Sequence, residues 1–191
     1  MNRNNIRTRR ILAVLAGLLM CMNLFLNLFS AAAAEEAGAE MSLLAINVRK
    51  ADALLLRCGN SAYLIDTGVK KEADTLLNVL RSEGITRLTG VILTHTHADH
   101  TGGLKALAES EIEIGNIYTS GYYALKKEDG KHPVEKALKK TDYSFSYLFA
   151  GDELPLDGGK LTVIGPVEKN GKTKTTTPWC CWLRAAAEAS C

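Results

Sequence analysis

The chain has 191 residues, 23 Lys and Arg against 21 Asp and Glu, a formal net charge of +2 and 47% hydrophobic residues. That suits one folded domain with a buried core and excludes a disordered or low-complexity chain. Because Arg3, Arg7, Arg9 and Arg10 account for the small positive excess, no basic patch argues for binding nucleic acid by charge alone.

Residues 1–34 carry those four arginines, no acidic residue, an apolar run over 11–29, and Ser30 followed by four alanines. A basic region, an apolar stretch and small residues in this order predict a secretory signal peptide cleaved after Ala34. The mature chain is then secreted or held at the surface of a bacterial cell. The apolar run is also long enough to span a bilayer, so an uncut N-terminal membrane anchor is the alternative. Cys21 leaves with the signal, Cys180, Cys181 and Cys191 crowd the tail, and only Cys58 lies in the body, so no structural disulfide is expected.

Residues 43–48, 53–57 and 62–65 are short apolar runs that predict strands, the last two joined by Cys-Gly-Asn-Ser. Ala73, Leu76, Leu77, Val79 and Leu80 fall at helical spacing, predicting a helix over 72–83 stopped by Gly84. A strand over 88–93, a helix over 102–109 and a strand over 112–119 follow, and this alternation predicts a layered α/β domain. Further on, the lysine-rich residues 126–140 predict an exposed loop and a short helix after Pro133, with His132 on the surface. Residues 145–149 and 160–164, around a turn at Gly151 and Asp152, predict a β-hairpin.

Residues 93–103 read Leu-Thr-His-Thr-His-Ala-Asp-His-Thr-Gly-Gly and hold three of the four histidines. If the chain leaves the strand still extended, alternate side chains point the same way, and His95, His97 and Asp99 converge. Thr101 can cap a helix beginning at Gly102, and the change of backbone swings His100 into the same pocket. Two neutral imidazoles suit one divalent ion, and an Asp and His pair suits a second. A histidine-rich surface turn would not bring the strand and the glycines with it.

This stretch resembles the H-x-H-x-D-H signature of the metallo-β-lactamase superfamily. Asp-Ala-Leu-Leu-Leu-Arg-Cys-Gly at 52–59, Tyr-Leu-Ile-Asp-Thr-Gly at 63–68 and Gly84-Ile85 resemble the branch found in ComEC-type competence proteins, over about residues 41–167. The resemblance implies an αββα sandwich, of which this chain carries the N-terminal half and the start of the second. It also implies two divalent ions, zinc first with manganese or iron as alternatives. His95 and His97 would hold one, and Asp99 and His100 the other. Asp99 and Asp66 are the implied catalytic residues, Asp66 lying beside the metals and supporting the ligating loop. The implied chemistry is hydrolysis by a metal-activated hydroxide on a small-molecule or phosphodiester substrate, with DNA suggested by resemblance alone and no stable protein partner. Where relatives show Gly-Gln-Gly-Asp, this chain has Arg49-Lys50-Ala51-Asp52.

Residues 175–182 read Thr-Thr-Thr-Pro-Trp-Cys-Cys-Trp and have no counterpart in the family. Reading one base earlier, the codons allow Asn-Asn-Asn-Ser-Leu-Val-Leu-Leu, with Val-Leu-Leu forced, and relatives carry Asn-Asn-Ser-Leu-Val-Leu here. A frameshift within about residues 169–174 is expected, leaving an incomplete domain over 35–168 and an out-of-frame tail over 169–191. The bridging aspartate and later histidine of the family lie beyond that point, so the chain as written would hold one ion weakly. The alternatives to a secreted hydrolase are a catalytically inactive fragment and an extracellular binding module.

Overall fold

A computed structural model describes residues 17–23, 40–121, 132–165, 168–169, 172–173 and 182–187. Two compact units divide the chain, residues 1–38 with 189–191 and residues 39–188. In the first, residues 17–23 are helical and exposed. The rest of the expected signal and its cleavage point lie outside the described residues. Among the described residues no helix is long and apolar enough to cross a membrane.

The second unit is built on a six-stranded sheet of order β1-β2-β3-β5-β7-β8. Its strands are β1 (Met41–Ala45), β2 (Leu54–Cys58), β3 (Ser61–Ile65), β5 (Gly90–Leu93), β7 (Ile117–Ser120) and β8 (Ser146–Leu148), and two-residue strands β4 (Arg87–Leu88) and β6 (Glu113–Ile114) pair outside it. Strands β1, β2 and β3 form an antiparallel meander, and β3, β5, β7 and β8 run parallel. A parallel strand covered on both faces should be apolar throughout, and every residue of β5 is buried. Helix α1 (Ala73–Ser82) buries Ala73, Leu76, Leu77 and Leu80 on the sheet and ends where Gly84 takes φ 71°, a conformation glycine adopts without penalty.

A second sheet of order β13-β10-β9 joins β9 (Glu153–Leu156), β10 (Gly159–Gly165) and β13 (Trp182–Ala187), and β11 (Glu168–Lys169) pairs with β12 (Lys172–Thr173). Strand alternation divides the core in two. Leu55, Leu64, Val91 and Leu93 face the helices, while Leu56, Tyr63 and Ile92 meet Leu154, Leu156, Leu161 and Val163 of the second sheet. The tail expected to be out of frame supplies β13, which pairs along β10 from Gly159 to Gly165.

Polar contacts stitch the sheets together. The Tyr63 hydroxyl donates to the Pro155 carbonyl at 3.0 Å, Asp157 accepts from the Asn60 amide at 2.8 Å, and the Asp157 amide donates to Ser61 at 2.9 Å. Tyr63 is 1% exposed, and burial, aided by Tyr118, pushes its hydroxyl up to about 12. A folded-state value above the unfolded one of 10 gives stability that is complete below pH 10 and lost as pH rises through about 12. Tyr63→Phe should therefore lose about 1 kcal/mol at neutral pH and show a flatter decline between pH 10 and 12 in thermal melts. An unchanged alkaline limb would show that Tyr63 does not titrate on unfolding.

Several expectations need correction. Residues 145–149 do not form a hairpin with 160–164. Ser146–Leu148 joins β7 in parallel, and the true hairpin is β9 with β10 about the turn at Asp157 and Gly158. His132 is not a surface residue: it is 7% exposed, precedes helix α4 (Pro133–Leu138) and stacks on Phe145 with ring centroids 5.1 Å apart. The helix expected over 102–109 is two pieces, α2 (Ala98–Thr101) and α3 (Leu104–Ala108). Thr101 closes the first piece rather than capping the second, its hydroxyl donating to the His97 carbonyl at 3.1 Å.

Candidate metal centre

The centre forms where β3 and β5 end side by side, at the carboxyl edge of a parallel sheet, the place where α/β folds bind ligands. Asp66 is the first residue after β3, and its φ of 59° lies in the left-handed region, which aspartate tolerates better than most residues. It is 2% exposed and fully engaged. One carboxylate oxygen accepts from the Thr94 amide at 2.8 Å, and the other accepts from the Thr94 hydroxyl and faces His100 Nδ1, both at 2.6 Å. Thr67 holds the backbone of His100, its amide and hydroxyl donating to the His100 carbonyl at 2.7 and 2.9 Å. The glycines after the motif have a steric reason: a Cβ on Gly103 would collide with the Thr67 carbonyl, and one on Gly102 with the Lys70 amide.

The backbone turns helical at Ala98, sooner than the extended reading supposes. His97 stays extended as the residue before α2, and its carbonyl accepts from the amides of His100 and Thr101, each at 3.0 Å. His95, Asp99 and His100 come together, one ligand atom from each lying within 4.8 Å of the others, with His95 and His100 buried. The His95 and His100 rings sit 3.6 Å apart between centroids. His97 stands exposed at the margin, its ring 4.8 Å from that of His95, and outside this group.

The donor set fits a divalent transition ion. Burial, reinforced by the neighbouring His100, holds His95 below the ordinary imidazole range and keeps it in the neutral form a metal requires. Burial also pulls His100 down, but the hydrogen bond and charge of Asp66, with Asp99 and Asp52, outweigh it and leave His100 raised. With Nδ1 held by Asp66, His100 presents Nε2 to the Oδ2 atoms of Asp99 and Asp52, each 3.6 Å away. A carboxylate that fixes one imidazole nitrogen while the other faces an ion site is the usual support of a metal-binding histidine. Of the expected site residues, the fold brings His95, Asp99 and His100 together, sets Asp66 against His100 and leaves His97 at the margin. Thr94 and Asp52 were not singled out by the motif, because only the folded chain brings them alongside.

A cleft of about 690 Å3 adjoins the centre. Asp52, Asp66, Thr94 and His100 contribute to its lining, with Leu43, Leu54, Leu56 and Ile65 from the first sheet and Leu161 and Leu183 from the second.

Residues 46–185 match the family model described as Metallo-beta-lactamase superfamily. The chain is 29% identical over 116 residues to Competence protein ComA of Neisseria gonorrhoeae, covering 58% of this chain and 16% of that protein. It is 38% identical over 80 residues to the atrochrysone carboxyl ACP thioesterase AacuM of Aspergillus aculeatus, covering 41% of this chain and 24% of the relative. Among solved structures, the Rm3 metallo-beta-lactamase superposes with a TM-score of 0.54 at 18% identity, over 75% of this chain and 53% of that one. A variant of the flavo di-iron protein from Thermotoga maritima gives 0.54 at 19% identity, over 71% and 30%. The chain thus spans less than a third of these curated relatives and about half of the lactamase, and the structural likenesses speak to the fold. With the fold, the centre and a family model covering most of its length in agreement, the chain belongs to the metallo-beta-lactamase superfamily.

Proposed function

We propose that this chain is a metal-dependent hydrolase that works at the His95, Asp99 and His100 centre. The observation that carries this reading is the convergence of those three side chains, with the second nitrogen of His100 fixed by buried Asp66. A divalent ion bound there supplies Lewis acidity and lowers the pKa of water toward neutrality. The protein's part is orientation. Asp66 takes the Nδ1 proton of His100 as a hydrogen bond and leaves the Nε2 lone pair for the ion, while the Thr94 amide and hydroxyl keep the Asp66 carboxylate in place. Zinc is the first candidate, with manganese and iron as alternatives, and a second ion held with His97 belongs to the same proposal.

For the substrate, the competence-type resemblance and the ComA relative support a phosphodiester, DNA included. The leucine-lined cleft beside the centre favours a second reading, an ester or thioester with an apolar acyl group, in keeping with the thioesterase named among the relatives. Protein expressed with the frame restored beyond residue 174 and reconstituted with zinc or manganese should cleave either bis(p-nitrophenyl) phosphate or medium-chain p-nitrophenyl esters, and His95→Ala should abolish the activity. Cleavage of neither, or cleavage that survives His95→Ala, overturns the reading.

The order of basic, apolar and alanine residues over 1–34 supports action outside the cytoplasm. Secreted product should begin at Glu35, whereas a membrane-bound product beginning at Met1 favours the anchor. The codon argument supports a frameshift near residues 169–174, and nucleotide sequencing across codons 165–185 tests it.

A further inference from the structure

We infer that Asp52, on the loop between β1 and β2, is a direct ligand of the ion held by Asp99 and His100. The inference rests on the metal-centre reading above and adds a donor that the histidine motif does not contain.

Distance carries the argument. His100 Nε2 has two carboxylate oxygens at the same separation, Oδ2 of Asp99 and Oδ2 of Asp52, each 3.6 Å away. That is too long for a good hydrogen bond. It is close to the spacing of about 3.4 Å between neighbouring donors on a tetrahedral ion whose bonds are about 2.0–2.1 Å. By distance to Nε2 Asp52 matches Asp99, although it lies outside the group of His95, Asp99 and His100 whose ligand atoms are all within 4.8 Å of one another, and 3.6 Å is a separation that two ligands of one ion would show.

The charge balance agrees. Among the described residues, the side-chain ion pair recorded for each of these two carboxylates is with His100, whose Nδ1 already belongs to Asp66. Three carboxylates around one imidazole leave an excess of negative charge that a divalent cation would neutralise.

Asp52 is also held in place by its backbone. Its carbonyl accepts from the Gly68 amide at 2.9 Å, two residues beyond Asp66, and the neighbouring Ala53 carbonyl accepts from the Ile46 amide at 2.9 Å. Arg49, at φ 64°, turns the loop and is fixed by Glu72 at 2.8 Å. The loop is therefore tied to the same turn that clamps His100. The Asp52 side chain is 69% exposed, so replacing it removes a donor without emptying the core.

The test is metal binding. Wild type, Asp52→Asn and, as a control for loss of one surface charge, Asp74→Asn are titrated with zinc against a chromophoric chelator, and the cobalt-substituted forms are compared by visible absorption. Asp52→Asn should weaken zinc binding at least tenfold and shift the cobalt bands, with Asp74→Asn matching wild type. Equal affinity in Asp52→Asn overturns the inference while leaving the metal centre standing. A weaker affinity with unchanged cobalt bands, restored by comparing the proteins at high salt, also overturns it, because Asp52 would then act only through its field. A wild-type chain that binds neither metal removes the metal-centre reading itself, and this inference with it.

Discussion

Asp66→Ala should lose most of its zinc affinity and about 3–5 kcal/mol of stability together, since removing one member of a buried charged pair strands the others. The stranded groups are the Thr94 amide, the Thr94 hydroxyl and His100 Nδ1, all of which now meet Asp66 within 2.8 Å. Loss of the carboxylate behind a metal-binding histidine weakens such sites by about 10–100-fold. Asp66→Asn separates the two effects. Asparagine tolerates the left-handed backbone at this position and keeps one acceptor, so it should recover much of the stability but little of the affinity. Urea melts in chelator and zinc titrations of both variants make the comparison. Full zinc affinity in Asp66→Ala would mean that α2 alone fixes the His100 ring.

Leu93→Ala is the complementary experiment. Leu93 is fully buried, belongs to the core shared with the helices and immediately precedes Thr94. Truncating a buried leucine costs about 2–5 kcal/mol, a large part of the 5–15 kcal/mol that holds a typical domain together. The variant should show a much lower urea midpoint, yet its folded fraction should bind zinc nearly as wild type does, because no donor or buttress has been touched. A loss below about 1 kcal/mol would show that the surrounding leucines close over the gap.

The contrast between these variants reflects what the sequence could and could not disclose. His95, Asp99 and His100 are legible because they lie within six residues, and the apolar run before them marks a buried strand. Their buttress is not, since Thr94 and His100 meet Asp66 across 28 and 34 residues. Local pattern says nothing about which strand ends will lie side by side. Strand alternation places His97 on the same side as His95 and its backbone is extended, yet its ring stands exposed at the margin of the His95, Asp99 and His100 group, while Asp99 is carried in by the helical turn that starts at Ala98. The three residues of β8 show the same limit. So short a strand carries no mark of its partner, and it pairs with β7 rather than with the strand that follows. His132 looked like an isolated polar residue because the ring that covers it belongs to Phe145, on the far side of a helix in sequence.

One consequence of the motif's compactness concerns the unfolded chain. Three imidazoles and a carboxylate within six residues remain a chelating peptide after the fold is lost, so zinc has an affinity for the denatured ensemble as well as for the native protein. A ligand stabilises a fold only by the difference between those two affinities. The local donors contribute to both states and largely cancel. What remains comes from Asp66, which orients His100 only when β3 lies against β5, and from Asp52, which reaches His100 only in the folded chain, so the rise in melting temperature on adding zinc measures these long-range contacts rather than the histidines themselves.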